Sequence, residues 1–211
     1  MMMKRIILLS IFIFGSLVSF SQEAGLKKLS AKEKETYIKK LSSEVKSLQC
    51  NYKQEKKSSL LSGVSVSKGV MYFESPNLLR WENTHPTQYM FVVNNDKIKV
   101  KNSQGEYSNS NKMFQEISKI IIGIISGKEL QEGKNFNSDF YTNDKGLLIV
   151  KMMPLNRRLK SMFNTITITI DPKTNLADII QMDEKNGDIT TITFSDKKKN
   201  SPIPKQIFTI K

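Results

Sequence analysis

Cys50 and His85 are the side chains whose types could provide a nucleophile and a general base. They are the only cysteine and the only histidine of the 211-residue chain. His85 precedes Pro86 in a predicted turn, whereas Cys50 follows a helical pattern at the start of a predicted strand, where a small buried residue is expected. A reacting Cys–His pair stays open as the weaker alternative, and we predict no catalytic residue and no enzyme activity.

Metal and cofactor chemistry has no supporting motif. Structural zinc sites need several Cys or His ligands at close spacing, which this composition cannot supply. Asp183 and Glu184 are adjacent, so on a strand their carboxylates point to opposite faces. No glycine-rich phosphate loop is present. We therefore predict no bound metal and no cofactor, and a protein that binds its partner without transforming it.

The chain is strongly basic, with a formal net charge of +13 that falls to +11 once Lys4 and Arg5 are removed. Such charge suits nucleic acid or anionic lipid headgroups. The lysines are scattered instead of interleaved with stacking aromatics, and export argues against nucleic acid, so we predict transient contact with a membrane surface. The run Lys197-Lys198-Lys199 is one hypothetical docking site, and the alternative is a solvated loop before Ser201-Pro202.

Residues 1–21 have the pattern of a secretory signal peptide. Lys4 and Arg5 precede an uncharged apolar run of about 15 residues, too short to span a bilayer as a helix. Small residues at Ser19 and Ser21 predict cleavage before Gln22. We expect an exported, periplasmic protein in which residues 22–211 form one domain and act as a monomer.

Two amphipathic helices are predicted. Ser30 and Glu33 have capping-box spacing, and apolar residues then recur every three or four positions, which predicts a helix over residues 30–46. Apolar residues again recur at helical spacing between Asn111 and Glu129, where Gly127 can end the helix. Because this second helix is rich in β-branched isoleucine, a buried strand is its alternative.

The rest of the chain alternates polar and apolar residues with a period of two, as in Thr165–Ile170, which is typical of antiparallel strands with one packed face. Turn sequences such as Asn186-Gly187 separate these runs. We predict about 11 strands, at residues 49–57, 63–74, 78–83, 88–94, 97–102, 138–142, 147–152, 164–170, 176–184, 188–195 and 205–210.

Several segments together resemble the periplasmic outer-membrane lipoprotein carrier (LolA) family. The most specific is Pro76-Asn77-Leu78-Leu79-Arg80-Trp81, which follows the strand Gly69-Val70-Met71-Tyr72-Phe73. The first mature helix, the segment Leu48–Gln54, the strand and turn Phe91–Asp96, Ile168–Asp171 and the hairpin around Asn186-Gly187-Asp188 occur in the family's order over nearly all the mature chain.

This resemblance implies a mainly β (α+β) single domain, an unclosed antiparallel half-barrel that wraps a lid of α-helices. It implies that acyl chains of lipoproteins bind between the two, and that the protein shuttles them from an inner-membrane releasing transporter to an outer-membrane acceptor. The cavity residues expected from it are Leu79, Trp81, Tyr72, Met90 and Val92 on strands and Met113, Ile117, Ile120, Ile121 and Ile124 on the lid.

The sequence departs from the family at the lid. Well-studied members have an arginine before Pro-Asn that ties the closed lid, whereas this chain has Ser75, so Arg80 is the candidate for a substitute latch. An alternative function stays open on the same scaffold, namely a lipid-binding or envelope-sensing module with a different cargo.

Overall fold

The computed structural model describes residues 25–209, except residues 44, 96, 105–106, 110–111, 131–132 and 134. Its main element is one 12-stranded sheet in the order β1-β8-β9-β10-β11-β12-β2-β3-β4-β5-β6-β7. Every neighbouring pair is antiparallel. Within the described residues the edge strands β1 and β7 do not pair, so the sheet is the unclosed half-barrel that we predicted.

The elements follow the predicted order. The strands are β1 (Leu26–Lys28), β2 (Ser47–Lys57), β3 (Val64–Glu74), β4 (Leu78–His85), β5 (Tyr89–Asn94), β6 (Lys97–Lys101), β7 (Tyr107–Asn109), β8 (Phe136–Asn143), β9 (Leu148–Pro154), β10 (Phe163–Asp171), β11 (Leu176–Glu184) and β12 (Ile189–Lys199). The helices are α1 (Ala31–Ser43), α2 (Lys112–Ile125) and α3 (Arg157–Lys160). Short 3₁₀ turns occur at Lys128–Leu130 and Lys205–Phe208.

Helix α1 begins at the predicted capping box. The Ser30 hydroxyl donates to the Glu33 carboxylate at 2.6 Å, and the same carboxylate accepts from the Ser30 backbone N–H at 2.8 Å. Leu41 is buried, and Tyr37 and Ile38 pack against the core. The helix therefore covers part of the inner face of the sheet with the residues that the periodicity selected.

The predicted helix over residues 111–129 is confirmed as α2 over its central part. It is shorter than predicted because Gly127 adopts a φ of +71° after the last turn, and the 3₁₀ turn Lys128–Leu130 follows. The expected cap Asn111 lies outside the described residues. Ile120, Ile121 and Ile124 are buried in the core, so α2 serves as the main cover of the sheet.

The last predicted strand, residues 205–210, is wrong. Lys205–Phe208 form a 3₁₀ turn that lies against β4 and β5, where the side chain of Asn94 donates to the Phe208 carbonyl at 3.1 Å. Two short edge strands that we did not predict, β1 and β7, complete the sheet. Three residues each are too few for a visible period of two.

Gly69 lets β3 and β4 approach on the inner face. A Cβ at this position would lie 1.9 Å from the Glu82 carbonyl oxygen and 2.8 Å from the Tyr52 ring. The tyrosine hydroxyl in turn donates to the Asn83 side chain at 3.0 Å, within the same buried cluster. Only glycine fits here without moving the backbone of β4.

We therefore expect Gly69→Ala to lower the free energy of unfolding by about 2–3 kcal/mol, since the methyl group must push two paired strands apart. Chemical denaturation measures the change. Ser67→Ala, a half-buried position on the same strand, is the matched control and should stay within about 0.5 kcal/mol of the wild type. Equal stability of Gly69→Ala and the wild type would contradict this account of the close approach.

Candidate functional site

A hollow lies between α2 and the inner face of the sheet, at the end where β11 turns into β12. The hollow has a volume of about 430 Å³, which is within the size range of ligand pockets. Its walls are mostly large apolar side chains from strands, from α2 and from the α3–β10 junction. These are Trp81, Tyr89, Phe91, Ile117, Ile121, Met162, Phe163, Met182 and Ile192.

Aromatic stacking makes one wall of the hollow rigid. Trp81 lies 4.1 Å from Tyr52 and 6.1 Å from Phe91 between ring centroids, the latter pair nearly parallel. Phe194 meets the same indole edge-on at 6.4 Å. Burial raises the pKa of Tyr52, so this hydroxyl stays neutral and the wall carries no charge.

The mouth of the hollow is polar. The Lys56 ammonium lies 2.9 Å from the Glu184 carboxylate and 3.1 Å from Asp188. The Thr190 hydroxyl donates to Glu184 at 2.7 Å. Lys56, Glu184 and Thr190 also line the hollow, so an amphiphile could bury its apolar part inside while its polar part meets this rim.

At the other end of α2 the same interior is almost filled by the protein itself. The remaining cleft has a volume of only about 20 Å³, which is room for about one water molecule. It lies between Leu41, Met71, Ile124 and Phe194. In this conformation the hollow is therefore confined to one end. Extending it along the sheet requires α2 to move outward.

The predicted lid residues divide between these spaces. Ile117 and Ile121 line the hollow, together with the predicted strand residue Trp81. Ile124 lines the tight cleft, and Ile120 borders a wider groove on the opposite side of α2. The side chain of Met113 lies outside the described residues. A role of these side chains in acyl-chain binding remains a prediction.

Leu79 lies deeper than we predicted. It is 0% exposed within the core, where its register partners on the neighbouring strands are Phe73 and Val93. The lining of the hollow instead runs through Trp81 and Phe91. Leu79 is thus part of the packed foundation below the hollow.

The prediction that Tyr72, Met90 and Val92 face the hollow needs correction. Strand alternation places Tyr72 opposite in direction to its buried neighbours Met71 and Phe73. Met90 and Val92 pair in register with Glu82 and Arg80 on the outer face of the sheet. The two apolar residues are buried, but outside the main core cluster, on the face that carries the C-terminal segment.

The prediction of Arg80 as the lid latch is also corrected. Its guanidinium donates to Glu82 at 2.6 and 2.9 Å and to the Ile207 carbonyl at 3.4 Å, all on the outer face. Arg80 therefore holds the C-terminal segment and does not contact α2 through these bonds. The lid must be held by other groups.

An ion pair joins α2 to α3, and we predict that it holds the lid. Arg158 lies 2.9 Å from the Glu116 carboxylate, whose side chain is only 13% exposed. Lys119, one turn along α2, lies 3.6 Å from the same carboxylate. The pair connects α2 to the body of the half-barrel, and Glu116 lines the wider groove on the other side of α2 from the hollow.

Several wall residues could not be predicted from the sequence. Tyr89 and Phe91 share the face of Trp81, but β5 is apolar at five successive positions, so its period did not reveal which face is inward. Met182 and Ile192 follow from strand alternation in β11 and β12 once the register is known. Met162 and Phe163 flank α3, a four-residue helix without a periodic signal.

The structure separates Cys50 from His85. Cys50 on β2 pairs in register with Met71 of β3, whereas His85 on β4 pairs with Lys68 on the other side of β3. The whole width of β3 therefore lies between them, and their partners are a further three residues, roughly 10 Å, apart along that strand. Burial raises the pKa of the Cys50 thiol to about 12, although Lys197 lowers it in part. A thiol that holds its proton so firmly is a poor nucleophile.

Among the described helices, none combines the length and the apolar character needed to span a bilayer. The described residues likewise contain no group of three or more His, Cys, Asp or Glu side chains placed to hold a metal ion.

Comparison with known proteins gives a consistent match. The sequence profile of the outer membrane lipoprotein carrier protein LolA matches residues 43–211. An outer-membrane lipoprotein carrier protein of Pseudoalteromonas translucida is 22% identical over 165 residues, which cover 78% of this chain and 76% of that protein. A LolA superfamily protein of Nitrosomonas europaea has a similar crystal structure, with a TM-score of 0.50 and 10% identity over 86% of this chain and 98% of that one.

If the Glu116–Arg158 pair ties down the lid, Glu116→Gln should loosen α2 by up to about 1 kcal/mol, because the arginine is half-exposed and solvent screens the pair. Hydrogen exchange of the α2 amides should then become faster, while exchange in β10 stays unchanged. Lys119→Ala is the matched control, since that ammonium is more distant and 68% exposed. Similar α2 exchange rates in Glu116→Gln and the wild type would exclude the latch.

Leu79→Glu should prevent stable folding, because it buries a carboxylate that has no cationic partner among the described neighbours Phe73 and Val93. The expected loss is several kcal/mol, visible as a lost cooperative thermal transition. Leu155→Glu makes the same change at a side chain that is 46% exposed and should fold normally. A cooperative, wild-type melting curve for Leu79→Glu would show that Leu79 is less enclosed than the structure indicates.

Proposed function

The chain belongs to the outer-membrane lipoprotein carrier (LolA) family, and from that membership we propose that it carries lipoproteins with their acyl chains held between α2 and the inner face of the half-barrel. The observation that carries the proposal is the apolar hollow of about 430 Å³ beneath α2, open at a polar mouth. An apolar interior with one polar entrance suits a ligand that has hydrocarbon at one end and a polar group at the other.

Burial of hydrocarbon provides the driving force for loading. Each methylene group that moves from water into an apolar site contributes about 0.8 kcal/mol, so even part of one acyl chain represents a large gain. Ile117, Ile121 and Met182 offer side chains that an alkyl chain can contact without leaving a polar group unpaired.

Full loading requires the lid to move. Long acyl chains extend beyond a hollow of this size, and the adjoining cleft is already filled by residues such as Leu41 and Ile124. Outward movement of α2 replaces its contacts with contacts to the cargo, so the exchange of one apolar partner for another costs little net free energy. Release follows the same exchange in reverse.

The proposed setting is the periplasm. The predicted signal peptide at residues 1–21 would direct export, and an inner-membrane releasing transporter and an outer-membrane acceptor would be the partners at the two ends of the route. Between them the protein would shield the acyl chains from water.

Ile117→Glu should weaken loading of a synthetic triacylated lipopeptide at least tenfold, because the new carboxylate would lie against hydrocarbon in the wall of the hollow. Glutamate suits a helix, and Ile117 is only partly buried, so the fold should persist. Binding is measured by displacement of a fluorescent fatty acid. Leu155→Glu is the matched control outside the hollow and should load normally; unchanged loading of Ile117→Glu would argue against this site.

Native mass spectrometry of the protein purified from periplasm identifies the cargo class. We expect a bound species with the mass of a triacylated protein. A free phospholipid or glycolipid in its place would favour the alternative of a general lipid-binding module, and an empty protein that also fails to load the lipopeptide would count against the carrier proposal.

A further inference from the structure

The loop between β2 and β3 presents two leucines to solvent. Leu60 is 90% exposed and Leu61 is 73% exposed, which is unusual for adjacent large apolar residues. Val64 and Ile189 on the flanking strands are also exposed, and both pair in register with Lys57. These two residues lie on either side of Lys57 on the outer face of the sheet. We call the loop residues Leu60 and Leu61 the leucine tip.

The tip is held in place by its polar neighbours. The Ser58 hydroxyl accepts from the backbone N–H groups of Leu60 and Leu61 at 3.2 and 3.3 Å. The backbone N–H of Ser59 donates to the Asp188 carboxylate at 2.9 Å, and its hydroxyl donates to the Asn186 carbonyl at 2.8 Å. The backbone of this loop is therefore fixed, and the two leucines point outward from a structured support.

The contacts of the Asp188 carboxylate that hold this loop persist over a wide pH range. The Ser59 N–H and the Lys56 ammonium lower the pKa of Asp188 to about 2. A carboxylate with a lowered folded-state pKa contributes its stabilisation above its ordinary pKa of about 4, and that contribution is lost only as the pH falls toward 2. At neutral pH the anchor is fully formed.

The tip lies beside the mouth of the hollow. Asn186, whose carbonyl accepts from Ser59, also lines the hollow, as do Glu184 and Lys185. A surface that contacts the leucine tip would therefore face the entrance through which an acyl chain must pass.

Charge around the tip favours an anionic surface. Residues 58–63 contain no acidic side chain, and the exposed Lys57 adjoins them in the chain. A second exposed lysine, Lys185, precedes Asn186, whose carbonyl accepts from Ser59. The nearest carboxylates, Glu184 and Asp188, are engaged with Lys56. Exposed apolar side chains with basic residues nearby are the combination that partitions into the interface of an anionic bilayer.

We propose that the leucine tip is a membrane-docking site, which inserts Leu60 and Leu61 among the lipids of an anionic bilayer and turns the mouth of the hollow toward it. This surface differs from the lysine run considered from the sequence. Lys197–Lys199 lie at the opposite end of β12, roughly 30 Å from Ile189, and Lys197 is bound to Asp178.

The test mixes the full mature protein, free of cargo, with phosphatidylcholine vesicles. One set of vesicles is neutral, and the other contains about 30% phosphatidylglycerol to make the surface anionic. We expect the wild type to float with the anionic vesicles, and the double variant Leu60→Ser, Leu61→Ser to lose at least about tenfold in partition coefficient. Leu155→Ser removes a half-exposed leucine elsewhere and should bind as the wild type does. Circular dichroism of each variant checks that the fold persists.

Three outcomes would overturn the proposal: no flotation of the wild type, equal flotation of the double variant, or dimers in light scattering that the leucine substitutions dissociate. The last would mean that the tip contacts a second copy of the chain. Loading of the triacylated lipopeptide is measured on the same variants and should not change. A wild-type protein that floats with the vesicles but does not load would contradict the carrier function alone, whereas a wild-type protein that loads but does not float would contradict the leucine tip alone.

Discussion

The structure depends on one constraint: a sheet that does not close has an apolar inner face that must be covered by something. Here α1 and α2 provide the cover, and their leucine and isoleucine side chains complete the core with those of the strands. Because the cover consists of separate helices and not of further strands, no backbone hydrogen bonds of the sheet ladder have to break when it moves. The same burial that stabilises the fold can therefore be exchanged for burial of a ligand.

The two ends of the interior differ in how completely the protein's own side chains fill them. Near Leu41 and Ile124 the protein fills its own core, which keeps the empty form folded. Near Trp81 and Ile117 the packing leaves space, and the stacked aromatic rings keep that wall from collapsing into it. Polar groups are concentrated at the rim, where Lys56, Glu184 and Asp188 satisfy one another and do not enter the apolar interior.

The sequence predicts the strands and helices well because each has one wet face and one packed face. Ile166, Ile168 and Ile170 illustrate this, since alternation alone assigns them to the core. The faces of β5 could not be assigned in this way. Its outer residues Met90 and Val92 are as buried as its inner ones, because the C-terminal segment covers the outer face, and that coverage is a tertiary feature. The family resemblance also could not identify the Glu116–Arg158 pair, which joins residues 42 positions apart on two helices.

The single thiol illustrates a further consequence of this packing. Cys50 sits in the core with 1% of its surface exposed and stays protonated, so oxidants have neither access to the sulfur nor a thiolate to attack. Unfolded chains have no such shield and could cross-link in pairs through this sulfur in an oxidising compartment. Packing of β2 between β12 and β3 thus shields the sulfur of a protein that has no second cysteine to form an internal bridge.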